Sequence, residues 1–173
     1  IGFEMTKYFL KKKWKVTSHA NSNLLRLKKI KNKKFNYFHL DFSKIESEKE
    51  LEKILSYDYS AVLNLVGYID NKSFENFKIQ DSLNSIKVNA IIPLKIIGLV
   101  IKKMKKRNYG RIVNCSSIGV KYGGGERTFN YSLSKKTLEF IPKSIRKLSK
   151  NNVFYNIVRL GFIDTKMHRY SAS

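Results

Sequence analysis

The chain has 173 residues, 42% of them hydrophobic, enough for one domain with a core of its own. Its one cysteine, Cys115, excludes an intrachain disulfide and a cysteine-based metal centre, and His19, His39 and His168 lie too far apart in sequence to read as a metal triad, so no metal is expected. The formal charge of +22, from 35 Lys and Arg against 13 Asp and Glu, would attract nucleic acid or anionic membrane, yet the lysines are spread through nearly every segment and no groove-reading motif accompanies them. Solvated helix faces are therefore expected, with neither a specific nucleic acid nor a membrane as partner.

In chain order, Glu4–Lys12 carries Met5, Tyr8 and Phe9 at helical spacing, and Trp14–Thr17 reads as a strand. A helix over Asn23–Ile30, a strand over Phe35–Leu40, a helix over Glu46–Leu55 and an apolar strand over Ala61–Val66 follow. The longest helix is expected over Ser82–Lys105, with Ile86, Ala90, Leu94, Ile97, Ile101 and Met104 on one stripe and Pro93 bending it. Ile112 and Val113 begin a buried strand that runs into Ser116-Ser117. A second long helix, Asn130–Ser149, contains a discordant Pro142 and should kink there. Val153–Val158 is the last strand. Alternation of this kind predicts an α/β fold, a parallel sheet covered by helices, in a single domain over 1–173. No apolar run reads as long enough to span a bilayer, and Lys11-Lys12-Lys13 is followed by a mixed strand rather than a leader core, so a cytoplasmic protein is expected.

The chemistry concentrates between Asn114 and Lys136. Ser116-Ser117 would emerge at the carboxyl end of a strand, where open α/β sheets bind ligands, and Tyr131 and Lys135 stand four apart on one face of the next helix. Reducing a ketone requires a proton donor at the oxygen as hydride reaches the carbon. A phenol with its ordinary pKa of ~10 serves better when a nearby ammonium lowers it, which is the part expected of Lys135, while Ser117 holds the carbonyl oxygen. Tyr8/Lys12 and Tyr68/Lys72 repeat the spacing, but neither follows a strand ending in Ser, so they read as surface lysines beside packed rings. Gly123-Gly124-Gly125 lacks the Gly-Lys-Ser/Thr continuation of a phosphate loop and reads as a mobile active-site loop.

Laid out in this way, the chain resembles the short-chain dehydrogenase/reductase superfamily, in its compact single-domain branch. The resemblance implies a Rossmann-type doubly wound parallel sheet with helices on both faces. It also implies a catalytic tetrad of Asn89, Ser117, Tyr131 and Lys135, Asn89 holding a water near the Lys in a proton relay. Cofactor contacts implied by it are Gly2 in the phosphate turn, Asp41 and Phe42 at the adenine, and Asn64, Val66 and Gly67 where relatives read Asn-Asn-Ala-Gly. Tyr131 and Lys135 join them, with Gly161, Ile163 and Thr165 near the nicotinamide and Leu160 in place of the usual Pro. The cofactor is then NADP or NAD. Ala20, with Ser18, His19 and Asn21 around it, stands where NAD-dependent relatives place an Asp, and the lack of an Asp favours NADP.

Ile1-Gly2 looks like the end of the family's glycine-rich turn, so the sequence is expected to be a fragment lacking the first strand and the carboxyl-terminal part. The expected reaction is oxidoreduction of a small carbonyl or alcohol by a homodimer or homotetramer assembled through the two long helices. A nucleotide-sugar epimerase or dehydratase of the extended branch, and a non-catalytic basic nucleotide- or nucleic-acid-binding protein, are the alternatives.

Overall fold

The computed structural model describes residues 1–22, 24–52, 54, 57–165 and 167–168. It forms two compact units, 1–54 and 55–173. In the first, helix α1 (Gly2–Lys11) precedes strand β1 (Val16–Ala20), and helix α2 (Leu24–Lys28) leads to strand β2 (Phe35–His39). The two strands pair in parallel from Val16↔Phe35 to Ala20↔His39. The strand expected at Trp14–Thr17 begins two residues later because Lys13 takes a left-handed φ of 64° and Trp14 folds back on the helix. Its N–H bonds to Phe9 O and its ring meets the Phe9 ring edge-on at 5.5 Å. A 3-10 turn (Phe42–Lys44) and helix α3 (Lys49–Glu52) close the unit. The helix expected over Glu46–Leu55 is thus shorter at its start, and residues 53, 55 and 56 lie outside the described residues.

The second unit is a three-stranded parallel sheet in the order β3-β4-β5, with β3 Ala61–Asn64, β4 Gly110–Ser117 and β5 Val153–Leu160. One continuous helical stretch, Ile79–Lys106, joins β3 to β4: helix α4 (Ile79–Ile86), a π-turn (Lys87–Ile91) and helix α5 (Ile92–Lys106). Between β4 and β5 come the short helix α6 (Gly119–Tyr122), helix α7 (Phe129–Leu138), helix α8 (Lys143–Arg146) and a 3-10 turn (Lys147–Asn151). The single helix expected over Asn130–Ser149 is broken at Pro142, which has no N–H to continue the ladder and instead opens α8.

Ile97, Val100, Ile101 and Met104 of α5 pack with Ile112, Leu148 and Val153 in the core. Each such side chain contributes roughly 1.5–3 kcal/mol by leaving water. Gly110 is fixed by this packing, since a Cβ there would stand 2.4 Å from Met104 Sδ. Ile79–Lys106 is long and apolar enough, by length and composition, to cross a membrane, which corrects the expectation that no such run exists. The same stripe supplies the core of the α/β unit, and Ser85 and Asn89 on it are buried in hydrogen bonds with α7. Val88 and Val100 on the same stretch are also buried.

Buried amides lock the strand ends together. Asn64 donates to Asn114 Oδ1 at 2.9 Å across β3–β4, where the two residues are paired in register. Asn114 in turn donates to the Tyr155 hydroxyl on β5.

Candidate active site

Alternation along β4 sorts its two serines. Ile112, Asn114 and Ser116 face the buried side, and Ser116 Oγ donates to Glu139 Oε1 at 2.7 Å. Both Glu139 oxygens also accept from Arg159 on β5, at 2.8 Å each, so this side of the strand is a structural clamp whose bonds hold the Glu139 carboxyl below its ordinary pKa. Ser117 points to the opposite face, where its hydroxyl lies near the Tyr131 phenol and accepts the Gly119 N–H at 3.1 Å.

Lys135 is 2% exposed, and its ammonium donates to Val66 O at 2.7 Å and Cys115 O at 2.8 Å, lying 5.7 Å from the centre of the Tyr131 ring. Burial pushes its pKa down to about 8. The Tyr131 phenol moves the other way from the expectation: burial raises it, the nearby Ser117 hydroxyl opposes the rise, and the neighbouring Cys115 thiol adds to it. Two backbone carbonyls accept from the Lys135 ammonium, which ties the Val66 and Cys115 backbones together, while burial dominates at the phenol. Burial also pushes the Cys115 thiol up.

Asn89 is fully buried in the π-turn, and its side chain is spent on the protein itself. Oδ1 accepts the Tyr68 N–H at 2.7 Å, while Nδ2 donates to Tyr68 O at 2.9 Å and Ser134 Oγ at 2.9 Å. A role in a water relay would fall to its backbone carbonyl, whose helical partner four residues on is Pro93, a residue with no N–H. The π-turn sits at the place where that proline would clash with a regular helix.

Of the other cofactor candidates in this unit, Asn64 is committed to Asn114 and to the Val66 N–H, which its Oδ1 accepts at 3.2 Å. Val66 contributes the carbonyl taken by Lys135. Gly67 lies against Met167, whose Cε would be 2.7 Å from an added Cβ. Gly161 and Ile163 are exposed in the coil after β5, and Thr165 Oγ1 accepts the His168 N–H at 3.4 Å. Leu160, which stands in place of the usual Pro, ends β5, its carbonyl accepting the Ile118 N–H at 2.8 Å. Gly123 and Gly124 have left-handed φ values of 79° and 93°, and a Cβ on Gly124 would stand 2.3 Å from Ser132 Oγ. The loop expected to be mobile is therefore packed against the helix that carries Tyr131.

In the first unit, Gly2 lies in the first turn of α1, where its carbonyl accepts from Thr6 Oγ1 at 2.9 Å. Asp41 caps the 3-10 turn, accepting from Ser43 Oγ at 2.7 Å and Ser43 N at 3.0 Å. The Ser43 hydroxyl is the main cause of its lowered pKa. The Phe42 ring is a core residue stacked on His19 at 4.2 Å, so only its backbone is open to a ligand. Burial holds the His19 pKa low, and its Nε2 donates to Leu40 O at 2.7 Å. Neither of the other Tyr/Lys spacings forms a site: Tyr8 is half exposed, and Tyr68 is bound through its backbone to Asn89. Among the described residues no group of three His, Cys, Asp or Glu side chains could hold a metal ion.

Sequence reasoning passed over the Glu139–Arg159 clamp, the bonds of Asn89 to Tyr68, and the hold on Asn130 described below. Only Pro93, four residues after Asn89, signalled the π-turn. The donor set fits a nicotinamide dinucleotide, because Lys135 has three N–H groups and the two carbonyls use two of them.

The short chain dehydrogenase family model matches residues 1–173, and the chain belongs to that family of oxidoreductases. It is 34% identical over 128 residues to a 3-oxoacyl-(acyl-carrier-protein) reductase of Aquifex aeolicus (strain VF5), covering 70% of this chain and 51% of the relative. The corresponding Buchnera aphidicola subsp. Schizaphis graminum (strain Sg) reductase is 35% identical over 105 residues, covering 60% and 39%. The chain thus spans about half the length, or less, of these curated relatives. Among solved structures, acetoin dehydrogenase from Enterobacter cloacae superposes with a TM-score of 0.80 at 20% identity, over 96% of this chain and 73% of that one. A 3-oxoacyl (acyl-carrier-protein) reductase from Agrobacterium tumefaciens C58 with NADP bound does so at 0.74 and 16% identity, over 89% and 62%. These likenesses define the fold as Rossmann-type α/β, parallel sheets flanked by helices.

Proposed function

We propose that the intact protein is a cytoplasmic, NADP-preferring reductase, a homodimer or homotetramer that converts a ketone to a secondary alcohol. The substrate class we favour is a 3-oxoacyl thioester, from the names of the relatives at 34% and 35% identity. Both units are taken as parts of one nucleotide-binding domain, with Gly2, Asp41 and Phe42 among the cofactor contacts of the first. The observation that carries the reading is the gathering of Ser117, Tyr131 and the buried Lys135, whose ammonium lies 5.7 Å from the centre of the Tyr131 ring.

A bound reduced nicotinamide supplies the hydride. Ser117 Oγ holds the carbonyl oxygen, and the Tyr131 hydroxyl gives that oxygen its proton. Lys135 fixes the Val66 and Cys115 backbones and keeps one N–H for a ribose hydroxyl. Val66, Gly67, Gly161, Ile163 and Thr165 are assigned to the nicotinamide side, and Asn64 to holding the strand end that carries Val66. The absence of an Asp at Ala20 supports NADP over NAD.

The test is reduction of a 3-oxobutanoyl thioester, followed by loss of NADPH absorbance, in the intact protein and in Tyr131→Phe. Turnover should vanish while NADPH binding stays within about three-fold, because the phenolic proton is needed only in the transition state. A kcat near wild type in Tyr131→Phe would remove the reading.

A further inference from the structure

We propose that Asp70 is a positioning residue for Tyr131, acting through Asn130; this rests on the reading of Tyr131 as the proton donor. Asn130 immediately precedes Tyr131 in the first turn of α7 and is fully buried. The capping position of that helix, Thr128, makes no side-chain bond to it. The first turn is held from outside. Asn130 Nδ2 donates to Asp70 Oδ2, Ser82 Oγ of α4 donates to Asn130 Oδ1 at 2.5 Å, and Ser85 Oγ donates to Asn130 O at 3.2 Å.

Asp70 belongs to the segment after β3 that also meets Lys135 and Asn89. The Val66 carbonyl of that segment receives Lys135, and Tyr68 is bound through both backbone groups to Asn89. The segment therefore ties Lys135, Asn89 and the turn before Tyr131 to one piece of backbone. The second carboxylate oxygen, Asp70 Oδ1, is buried with no hydrogen-bond partner. An acid with one buried oxygen unsatisfied is a poor choice for filling space, since that oxygen costs stability wherever it lacks a donor. Its other oxygen receives Asn130, which fixes the backbone of Tyr131 and with it the reach of the phenol toward Ser117. A small displacement there is damaging, because proton donation depends on the position of the phenolic oxygen.

The experiment compares Asp70→Ala, Asp70→Asn, Ser82→Ala and Tyr131→Phe in the intact protein, with the 3-oxobutanoyl thioester and NADPH. Asp70→Ala should lower kcat about ten- to a hundred-fold with the NADPH KM within about two-fold. Asp70→Asn keeps an oxygen that can accept from Asn130 and should restore kcat to within about three-fold of wild type. Should Asp70→Ala fail to fold, Ser82→Ala, which removes the other side-chain bond to Asn130, must lower kcat with the NADPH KM unchanged. Wild-type kcat in Asp70→Ala, or in Ser82→Ala where only that variant folds, overturns the inference. So does an Asp70→Asn protein as impaired as Asp70→Ala. Turnover retained by Tyr131→Phe overturns the reading of the proton donor and this inference with it, whereas turnover lost there but intact in Asp70→Ala overturns the inference alone.

Discussion

Asn89 holds Tyr68 by both backbone groups, accepting its N–H at 2.7 Å and donating to its carbonyl at 2.9 Å. A helix residue thereby replaces the strand partner that the chain after β3 no longer has. Asn89→Ala leaves both Tyr68 groups and Ser134 Oγ short of a partner, and should cost about 2–4 kcal/mol. Urea unfolding of the intact protein measures this, as a lower midpoint at unchanged slope. A midpoint equal to wild type would show that water replaces the side chain without loss.

The two serines at the end of β4 should part company on mutation. Ser117→Ala removes a hydroxyl beside the Tyr131 phenol and should lower kcat by about a hundred-fold or more, as loss of a positioned donor does. Ser116→Ala removes one of several bonds to Glu139, whose two contacts with Arg159 remain, and should leave kcat within about two-fold. Steady-state kinetics of the pair decide the assignment, and equal losses would reject it.

How much of this was legible beforehand depends on the kind of signal. The alternation of helices and strands follows from apolar spacing, and the face of β4 that carries Ser117 follows from strand periodicity. The family resemblance chose Ser117 over Ser116, and the geometry gives the physical reason: the neighbouring hydroxyl is turned to Glu139. What stayed hidden involves long-range partners. Nothing local to Lys135 shows that the carbonyls of Val66 and Cys115 will take its ammonium, 69 and 20 residues away in sequence. The phenol pKa rises rather than falls because burial of Tyr131 is the largest influence on it. Likewise LDFS alone does not show that the Phe42 ring packs against His19, which leaves its backbone for any cofactor contact.

Burial of Lys135 gives a pH signature. Its pKa falls from the ordinary 10.5 to about 8 in the folded protein. Between these values the unfolded chain binds more protons than the folded one, so this group adds stability as pH rises from about 8 to 10.5, and its charging cost is felt in full below 8. The difference in unfolding free energy between wild type and Lys135→Met cancels the titration of the other lysines to first approximation. It should move in favour of wild type across that window, as read by denaturant unfolding at a series of pH values. A difference independent of pH would show that the ammonium is not desolvated.

Assembly is the last prediction. Val88 and Val100 are absorbed by the core, and Ile96 packs partly against it, while Ile91 stays exposed. Ile79, Leu83, Ile91 and Leu133 remain exposed on α4, the π-turn and α7, although α4 and α7 are already joined to each other through Ser82, Ser85, Asn130 and Ser134. Apolar side chains on two helices that have satisfied one another are suited to meet the same pair in a second copy, as in an isologous dimer. Leu83→Glu places a charge in the middle of this strip without touching the core. Sedimentation of the intact protein should give a dimer or tetramer at micromolar concentration and a smaller species for Leu83→Glu. The unfolding midpoint of the variant should become independent of protein concentration, since dissociation no longer accompanies unfolding. A wild-type protein that sediments as a monomer, or a Leu83→Glu protein of unchanged mass, would rule out these helices as the interface.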